Sequence, residues 1–261
     1  MIQSETIQFE IRENVGVITL NRPKVFNSFN EEMSKACHQA LDICKDNPEV
    51  RAILLTAVGK AFCAGQDLGE AMDPNGPEII QIVEEHYNPL ILRLRTIEKP
   101  IVCAVNGVAA GAGANVALAT DVVLAAESAN FIQAFSSIGL IPDSGGTFIL
   151  PRLVGWQKAS ALMMLADKVS SKEAESMGMI YKAIADEELE AQSWKIATKL
   201  AKMPTKGLGY TKRLLNQSYH NTLEEQLVAE GQVQEMAAAT ADFKEGVNAF
   251  LEKRKPHFTG E

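Results

Sequence analysis

The sequence predicts an α/β fold in which short buried strands alternate with amphipathic helices. Uncharged runs rich in β-branched residues, such as residues 15–20 and 101–105, have the length and composition of buried strands. Residues 31–46 instead repeat apolar side chains three and four positions apart, as one face of a helix does. Helical patterns dominate beyond residue 156, so the strands are concentrated in the first part of the chain.

Strands and helices alternate along the first part of the chain. Strands are predicted at residues 7–10, 15–20, 50–56, 101–105, 121–126 and 129–131. The helix over residues 31–46 follows Asn30, whose side chain can cap the first turn, and Pro48 prevents its continuation. A second, long helix is predicted over residues 78–96.

Six helices are predicted in the remainder, at residues 156–165, 171–177, 187–202, 206–220, 222–239 and 242–252. The last of them is expected to be capped by Thr240 or Asp242, because both residue types are favoured at that position. Met203-Pro204 interrupts the helical pattern. We therefore expect two parts, a core over residues 1–203 and a helical region over residues 204–261.

Charge and composition exclude several classes of partner. The 261 residues carry a formal net charge of -8 and a pI of about 5.2, which disfavours nucleic acid and anionic membranes as partners. The four cysteines lack CxxC spacing, which indicates a reduced, cytoplasmic compartment and no metal site. No signal peptide is expected at the N-terminus. The uncharged residues 101–120 are rich in Ala and Gly and contain two asparagines, which favours a buried strand, turn and helix over a membrane span.

The glycine-rich stretch 106–115 is the first candidate for a functional site. It lies between the predicted strand and a helix-compatible run at residues 116–119, and the first turn of a helix has unpaired N–H groups. Such donors suit a negatively charged oxygen, which predicts an oxyanion site built from backbone amides. The alternative is a tight turn whose glycines only permit close packing. The G-x-G-x-x-G spacing of a dinucleotide site is missing.

Three side chains are candidates for chemistry or binding. Asp143 lies between a proline and Ser-Gly-Gly, and it is either a turn-forming aspartate or a half-buried carboxylate with a raised pKa. Cys63 has no nearby histidine to activate it, so we interpret it as a buried thiol. Lys253 follows the last predicted helix, where a cation can stabilise the helix terminus or contact an anion.

Five motifs occur in a fixed order along the chain. They are Asn21-Arg-Pro-Lys24, Ala61-Phe-Cys-Ala-Gly-Gln-Asp-Leu68, Ala104-Val-Asn-Gly-Val-Ala-Ala-Gly-Ala-Gly113, Ile138-Gly-Leu-Ile-Pro-Asp-Ser-Gly-Gly-Thr147 and residues 172–179. Each is weak alone, but together the chain resembles the crotonase (enoyl-CoA hydratase/isomerase) superfamily over essentially its whole length. The resemblance implies a crotonase (ClpP-like) spiral of repeated ββα units. It also implies a C-terminal helical region that builds trimers, often paired into hexamers.

The resemblance further implies the ligand and the residues that bind it. The ligand is an acyl-CoA thioester, so coenzyme A arrives with the substrate and no separate cofactor is expected. The oxyanion hole maps onto the backbone N–H groups of Gln66 and Ala112, which would polarise the thioester carbonyl and stabilise an enolate-like intermediate. The family's CoA contacts map onto Lys24, Val25, Ala64, Asp67, Leu68, Phe250 and Lys253, of which the last two usually reach a neighbouring subunit's CoA.

Departures from the family pattern favour isomerisation. Hydratases carry two glutamates that hold and activate water, and Asn115 and Phe135 occupy those positions here. Asp143 falls where dienoyl-CoA isomerases and the epoxide isomerases of phenylacetate breakdown place a catalytic aspartate. A single carboxylate can remove a proton from the acyl group and return it elsewhere. The resemblance therefore implies an acyl-CoA isomerase with Asp143 as acid and base.

The similarity is greatest to the epoxide isomerases, and alternatives stay open. A Δ3,Δ2-enoyl-CoA isomerase or a hydratase-like enzyme of fatty-acid β-oxidation would share most of the site. An inactive CoA-binding subunit would also lack both glutamates. An aromatic wall in the acyl pocket would favour the ring epoxide, and Tyr87, Phe131 and Phe135 are candidates, although packing is their default role.

The predicted helix over residues 222–239 is a candidate assembly surface. Its apolar residues are too sparse for the middle of a core and too regular for a free surface helix. They are Leu223, Leu227, Val228, Val233 and Met236. Such a stripe can pack on its own domain, but the family uses this region to form trimers, so we expect a homotrimer or hexamer.

Overall fold

The fold consists of two β-sheets with helices around them, and the computed structural model describes every residue except Met1 and Gln3. The strands are β1 (Ile7–Arg12), β2 (Val15–Leu20), β3 (Ala52–Ala57), β4 (Ala61–Cys63), β5 (Ile101–Val105), β6 (Val108–Ala110), β7 (Val122–Ala126), β8 (Asn130–Ile132), β9 (Lys168–Ser170) and β10 (Lys182–Ile184). The α-helices are α1 (Glu31–Asp46), α2 (Leu68–Ala71), α3 (Ile79–Gln81), α4 (Asn88–Thr96), α5 (Ala112–Leu118), α6 (Gly146–Val154), α7 (Trp156–Leu165), α8 (Ser171–Ser176), α9 (Leu189–Ala201), α10 (Thr205–Gln217), α11 (Leu223–Ala238) and α12 (Ala241–Leu251).

From β3 to β8, consecutive strands alternate between the two sheets. The large sheet has the order β1-β2-β3-β5-β7-β10, and the small sheet has the order β4-β6-β8-β9. Strands β3, β5 and β7 therefore lie in the large sheet, and the strand after each lies in the small one. Neighbours from β2 to β10 in the large sheet are parallel, which requires a crossover connection between them. This confirms the predicted α/β class and the spiral of ββα units.

The central strand β5 is buried along its whole length. It lies between β3 and β7, and both pairings are parallel. A parallel strand covered on both faces needs apolar side chains at every position rather than at alternate ones. The uncharged run at residues 101–105 was therefore a strand signal, as predicted.

Helix α1 has the predicted bounds and the predicted cap. The Asn30 side chain accepts a hydrogen bond from the Met33 N–H at 3.0 Å. The apolar face of α1 packs into the core, whereas Glu31 and Glu32 lie in its first turn, where a negative charge interacts favourably with the helix dipole.

The long helix predicted over residues 78–96 is helical throughout but contains a π-helical turn. The turn spans Ile82–Tyr87 and lies between α3 and α4. Its wider spacing accompanies the burial of His86 and Tyr87, which are 3% and 1% exposed. Such turns are frequent at functional sites, and this one borders the cavity described below.

Several short elements escaped prediction from the sequence. Strands β4, β6, β9 and β10 have three residues each, too few for a pattern of alternation to be recognised. Helix α6 begins at a glycine and contains Pro151. Both residue types disfavour a helix interior, so the sequence did not predict this helix. Helix α5 begins at Ala112, four residues before the predicted run, so the glycine-rich stretch itself forms its first turn.

The C-terminal helices are joined to the rest of the chain by polar contacts. Lys212 on α10 donates to the Asp121 carboxylate at 2.8 Å, and burial lowers the pKa of Lys212. The Arg51 guanidinium donates to the backbone carbonyls of Met203 and Phe258. The division of the chain at Met203 stays a prediction, because these contacts link the two parts.

Helix α11 leaves most of its apolar residues in solvent. Of the stripe named above, Val233 is buried, whereas Leu223, Leu227, Val228 and Met236 are exposed. These four apolar side chains are distributed around the helix rather than along one face, and its own chain does not cover them. Among the described residues, no helix combines the length and the apolar character needed to cross a membrane.

Candidate active site

The first turn of α5 presents a free backbone amide. Gly111 caps this helix with φ +53°, a conformation that glycine adopts without steric cost. The Ala112 N–H follows directly and has no hydrogen-bond acceptor among the described residues. This supports the interpretation of the glycine-rich stretch as an amide donor site.

A second free amide comes from the loop after β4. The Phe29 N–H donates to the Gly65 carbonyl, and the Asp67 N–H donates to the Phe29 carbonyl, both at 2.8 Å. These two bonds fix the backbone on either side of Gln66. The Gln66 N–H itself has no hydrogen-bond acceptor among the described residues. A Cβ on Gly65 would lie 3.6 Å from the Ala112 nitrogen, so the two donor segments lie side by side.

Both amides border one cavity of about 210 Å³. Its lining is mostly apolar, with Asp143 as the one carboxylate among the described lining residues. The side chains and backbone that line it are Ala64, Gly65, Gln66, Leu68, Ala71, Ile79, Ile82, Val83, Tyr87, Gly111, Ala112, Ala134, Phe135, Ile138, Leu140 and Asp143. The structure thus brings together the three residues predicted for catalysis: Asp143, Gln66 and Ala112.

Asp143 has the environment of a proton-transfer group. Burial raises the pKa of Asp143 above its usual range, and a hydrogen bond from the Ser144 hydroxyl to Oδ1 at 2.8 Å opposes part of this shift. The alternative of a turn-forming aspartate is also partly realised, because the Asp143 carbonyl accepts from the Gly146 N–H. Asp143 also lines the cavity.

The pH dependence of activity should respond to Ser144. Replacing Ser144 with alanine removes a donor that stabilises the charged carboxylate, so the pKa of Asp143 should rise further. A base works in its deprotonated form, so activity is lost as pH falls through this pKa. We therefore expect the acid limb of the kcat/KM profile to move to higher pH in S144A. The exposed Ser136 supplies the control S136A, and identical profiles for S144A and wild type would contradict the assignment.

The Gln66 side chain is held at both ends, a feature that the sequence did not reveal. Its Oε1 accepts from the Tyr87 hydroxyl at 2.9 Å, and its Nε2 donates to Glu70 at 2.8 Å. Tyr87 was expected to pack in the core by default and was also a candidate wall of the acyl pocket; it lines the cavity and in addition anchors the Gln66 side chain. A lone tyrosine in a helical pattern carries no sequence signal for such a contact.

Five of the seven predicted CoA-binding residues lie on two adjacent loops. Lys24 and Val25 are exposed in a 3-10 turn, while Ala64 and Leu68 line the cavity. Asp67 caps α2 and pairs with Arg22 at 2.9 Å. The Ala64 N–H donates to the Phe26 carbonyl at 3.0 Å, which joins the two loops. Their contact with CoA stays a prediction.

Phe250 and Lys253 lie elsewhere, at the end of α12. Both are exposed, and neither lines the cavity that contains Asp143. Phe250 instead borders an apolar cavity of about 470 Å³ formed by the C-terminal helices and Phe258. Contact of these residues with a neighbouring subunit's CoA therefore stays a prediction.

The two positions at which hydratases carry glutamate are filled by side chains that cannot act as bases. Phe135 lines the cavity. Asn115 is buried and its Nδ2 donates to the Asp143 carbonyl at 2.9 Å. Of the predicted aromatic wall, Tyr87 and Phe135 line the cavity, whereas Phe131 is not among the lining residues.

Cys63 is a buried thiol, as predicted. Its side chain is fully buried, and burial raises the pKa of Cys63 to about 12. A thiol in such surroundings is a poor nucleophile, because the reactive species is the thiolate.

Comparisons with known proteins agree with this geometry. The family described as enoyl-CoA hydratase/isomerase matches residues 10–261. The chain is 46% identical to 1,2-epoxyphenylacetyl-CoA isomerase from Escherichia coli (strain K12), over 98% of this chain and 99% of that protein. It is 45% identical to a "Probable enoyl-CoA hydratase" from Rhodobacter capsulatus, over 98% of each chain. The crystal structure of an enoyl-CoA hydratase from Bacillus anthracis superposes with a TM-score of 0.91 at 30% identity, covering 98% of this chain and 100% of that one. The chain therefore belongs to the enoyl-CoA hydratase/isomerase (crotonase) family.

Proposed function

We propose that the protein is an acyl-CoA isomerase, and more specifically a 1,2-epoxyphenylacetyl-CoA isomerase that converts the ring epoxide to oxepin-CoA in phenylacetate catabolism. One observation carries the isomerase assignment. Asp143 is the one carboxylate among the described residues that line the cavity with both free amides. A hydratase of this family would need two glutamates to activate water, and Asn115 and Phe135 stand in their places.

The geometry supports a two-step proton transfer. The thioester carbonyl oxygen would accept hydrogen bonds from the Gln66 and Ala112 amides. Asp143 would then take a proton from C2 of the acyl group, and the resulting negative charge would reside on the oxygen held by the amides. The Asp143 carboxylic acid would return the proton at another carbon. For the ring epoxide, the C–C bond shared by the epoxide and the six-membered ring would also break, which places the oxygen in the seven-membered oxepin ring. Substrate and product contain the same atoms, so no co-substrate is required.

The aromatic side chains favour the ring epoxide as substrate. Tyr87 and Phe135 line the cavity, and flat faces of this kind pack well against a six-membered ring. The 46% identity to the isomerase from Escherichia coli supports the same substrate.

A Δ3,Δ2-enoyl-CoA isomerase is the second candidate, favoured by the rest of the cavity wall. That wall is aliphatic and would also suit a linear acyl chain; it includes Leu68, Ile79, Ile82, Val83, Ile138 and Leu140. The same amides and the same Asp143 would serve both reactions.

The two candidates are separated by direct assay. The pure protein is incubated with the ring-epoxide thioester and with a Δ3-enoyl-CoA, and the product mass and ultraviolet spectrum are recorded. We expect faster conversion of the ring epoxide. A preference for the enoyl-CoA would favour the Δ3,Δ2-enoyl-CoA isomerase over the epoxide isomerase.

Exchange of C2 protons with deuterated water tests proton transfer itself. Absence of exchange with either substrate would favour an inactive CoA-binding subunit.

Assembly into a trimer or hexamer is proposed as part of this function. The exposed apolar side chains of α11 and the exposed Phe250 are available to a neighbouring copy. We expect a trimer or larger at micromolar concentration, and deletion of residues 204–261 should reduce both assembly and acyl-CoA affinity, because a ligand that contacts only the assembled form stabilises it. Light scattering and titration with acyl-CoA measure the two effects.

The deletion also removes the buried Lys212, which pairs with the Asp121 carboxylate, and can disturb the core. Phe250→Ala leaves that ion pair intact and tests the CoA contact separately. A monomeric wild-type protein with normal acyl-CoA binding would contradict the prediction.

A further inference from the structure

We propose that Asn115 and Gln133 form a buried amide bridge that positions Asp143 for proton transfer. The term amide bridge is used here for these two side chains together. The proposal rests on the isomerase function above, because it assigns both residues a role relative to the catalytic carboxylate. Both act through Asp143 and are therefore positioning residues rather than catalytic ones.

The amide bridge connects three segments of the chain. Asn115 Nδ2, on α5, donates to the backbone carbonyl of Asp143 at 2.9 Å. Asn115 Oδ1 accepts from Gln133 Nε2, at the end of β8, at 2.8 Å. The two side chains are 1% and 2% exposed. Buried amides depend on such partners, so each bond constrains the segment that it reaches.

The loop around Asp143 accommodates the bridge closely. A Cβ on Gly146 would lie 2.4 Å from Asn115 Nδ2, so position 146 must lack a side chain while the bridge is in place. The Gly146 N–H donates to the same Asp143 carbonyl at 2.9 Å. Ser144 has φ +51°, a conformation that non-glycine residues seldom adopt. The two donors on one carbonyl thus hold an uncommon backbone conformation.

The carboxylate of Asp143 depends on this backbone for its direction. Among the described residues, the Ser144 hydroxyl is the one side chain that bonds the carboxylate, and Ser144 belongs to the same loop. The orientation of the base is therefore set by how the loop is held. A displacement of about 1 Å at a reacting group can cost about 10²-fold in rate.

An uncharged residue at position 115 also matters for the chemistry. Asn115 bonds the Asp143 carbonyl without adding charge next to the carboxylate. An acidic side chain here would lie close to Asp143, and the repulsion between like charges would raise the pKa of Asp143. The amide bridge thus supports the base without changing its charge state.

The test compares substitutions at Asn115 with a matched buried amide. Asn115→Leu removes both hydrogen bonds of the bridge, and Asn130→Leu removes another buried amide on β8 that makes no bond to this loop among the described residues. We expect N115L to lower kcat about 10- to 100-fold with little change in KM, and N130L to leave kcat near wild type. N115D should move the acid limb of the kcat/KM profile to higher pH.

A wild-type kcat in N115L, or an equal loss in N130L, would overturn the proposal. If N115L fails to fold, Gln133→Leu replaces it, because this variant leaves the Asn115–Asp143 bond in place and removes only its anchor. A smaller decrease in kcat is expected for Q133L, and an unchanged kcat would count against the bridge.

Hydrogen exchange distinguishes this proposal from the proposed function. The Gly146 amide should exchange about tenfold faster in N115L than in wild type, the change that corresponds to loss of about one net hydrogen bond. This readout needs no substrate. Faster exchange of the Gly146 amide in N115L, in a protein without isomerase activity, would refute the proposed function but would still support the amide bridge. Unchanged exchange in an active enzyme would refute the bridge alone.

Discussion

Replacement of Asp143 by asparagine is expected to lower turnover by about 10²- to 10⁴-fold, the usual contribution of a positioned acid or base. The amide has nearly the same shape as the carboxyl group but cannot accept the proton from C2. Acyl-CoA affinity should change little, because the amides of Gln66 and Ala112 and the two loops predicted to contact CoA are untouched. Steady-state kinetics and calorimetric titration with a substrate analogue measure the two quantities.

The exposed Asp167 provides the matched control for this substitution. Asp167→Asn makes the same chemical change at a position outside the loop that contains Asp143. This variant should behave as wild type. An active Asp143→Asn variant would remove Asp143 from the mechanism. Loss of acyl-CoA binding in that variant would instead indicate that Asp143 supports the cavity rather than the chemistry.

Replacement of Ala112 by proline is expected to lower kcat by about 10²- to 10³-fold, the typical effect of removing one oxyanion donor. Ala112 is the first residue of α5, and proline is tolerated at that position because its missing N–H has no partner inside the helix. The substitution therefore removes the N–H group without breaking the helix. The new ring would also occupy space beside the cavity that the amide faces.

Ala112→Gly is the control for this prediction, because it keeps the N–H group and removes only a methyl group. We expect the kcat of Ala112→Gly to stay near wild type. Circular dichroism and thermal unfolding verify that both variants fold. A proline variant that folds, binds acyl-CoA and retains full kcat would exclude the Ala112 amide from the oxyanion hole.

Local patterns predicted the long elements and several of the site residues. Helix α1 was predicted with its bounds and its Asn30 cap, since both depend on residues within one or two turns of each other. The strand β5 was recognisable because complete burial requires an uninterrupted apolar run. Short strands such as β4 and β10 were not predicted, because pairing with distant strands stabilises them rather than their own three residues.

In the candidate site, too, local features were predicted and contacts between distant residues were not. The glycine-rich stretch indicated free amides at the start of a helix, and Asp143 was recognised as a possible half-buried carboxylate. The resemblance to the family then implied their roles. Neither the Tyr87–Gln66 bond nor the Asn115–Asp143 bond was predicted, because each joins residues more than 20 positions apart.

Local sequence patterns were enough to predict the α/β class, the order of the main elements and the motifs that carry the family resemblance. These features depend on periodicity, capping and composition, which act between near neighbours in the chain. Tertiary structure alone decided which amides stay unpaired, how deeply Asp143 is buried and which way the Asn115 side chain turns. Those properties depend on packing between β4, α5, β8 and the loop before α6, and packing brings together segments whose separation in the chain leaves no local pattern.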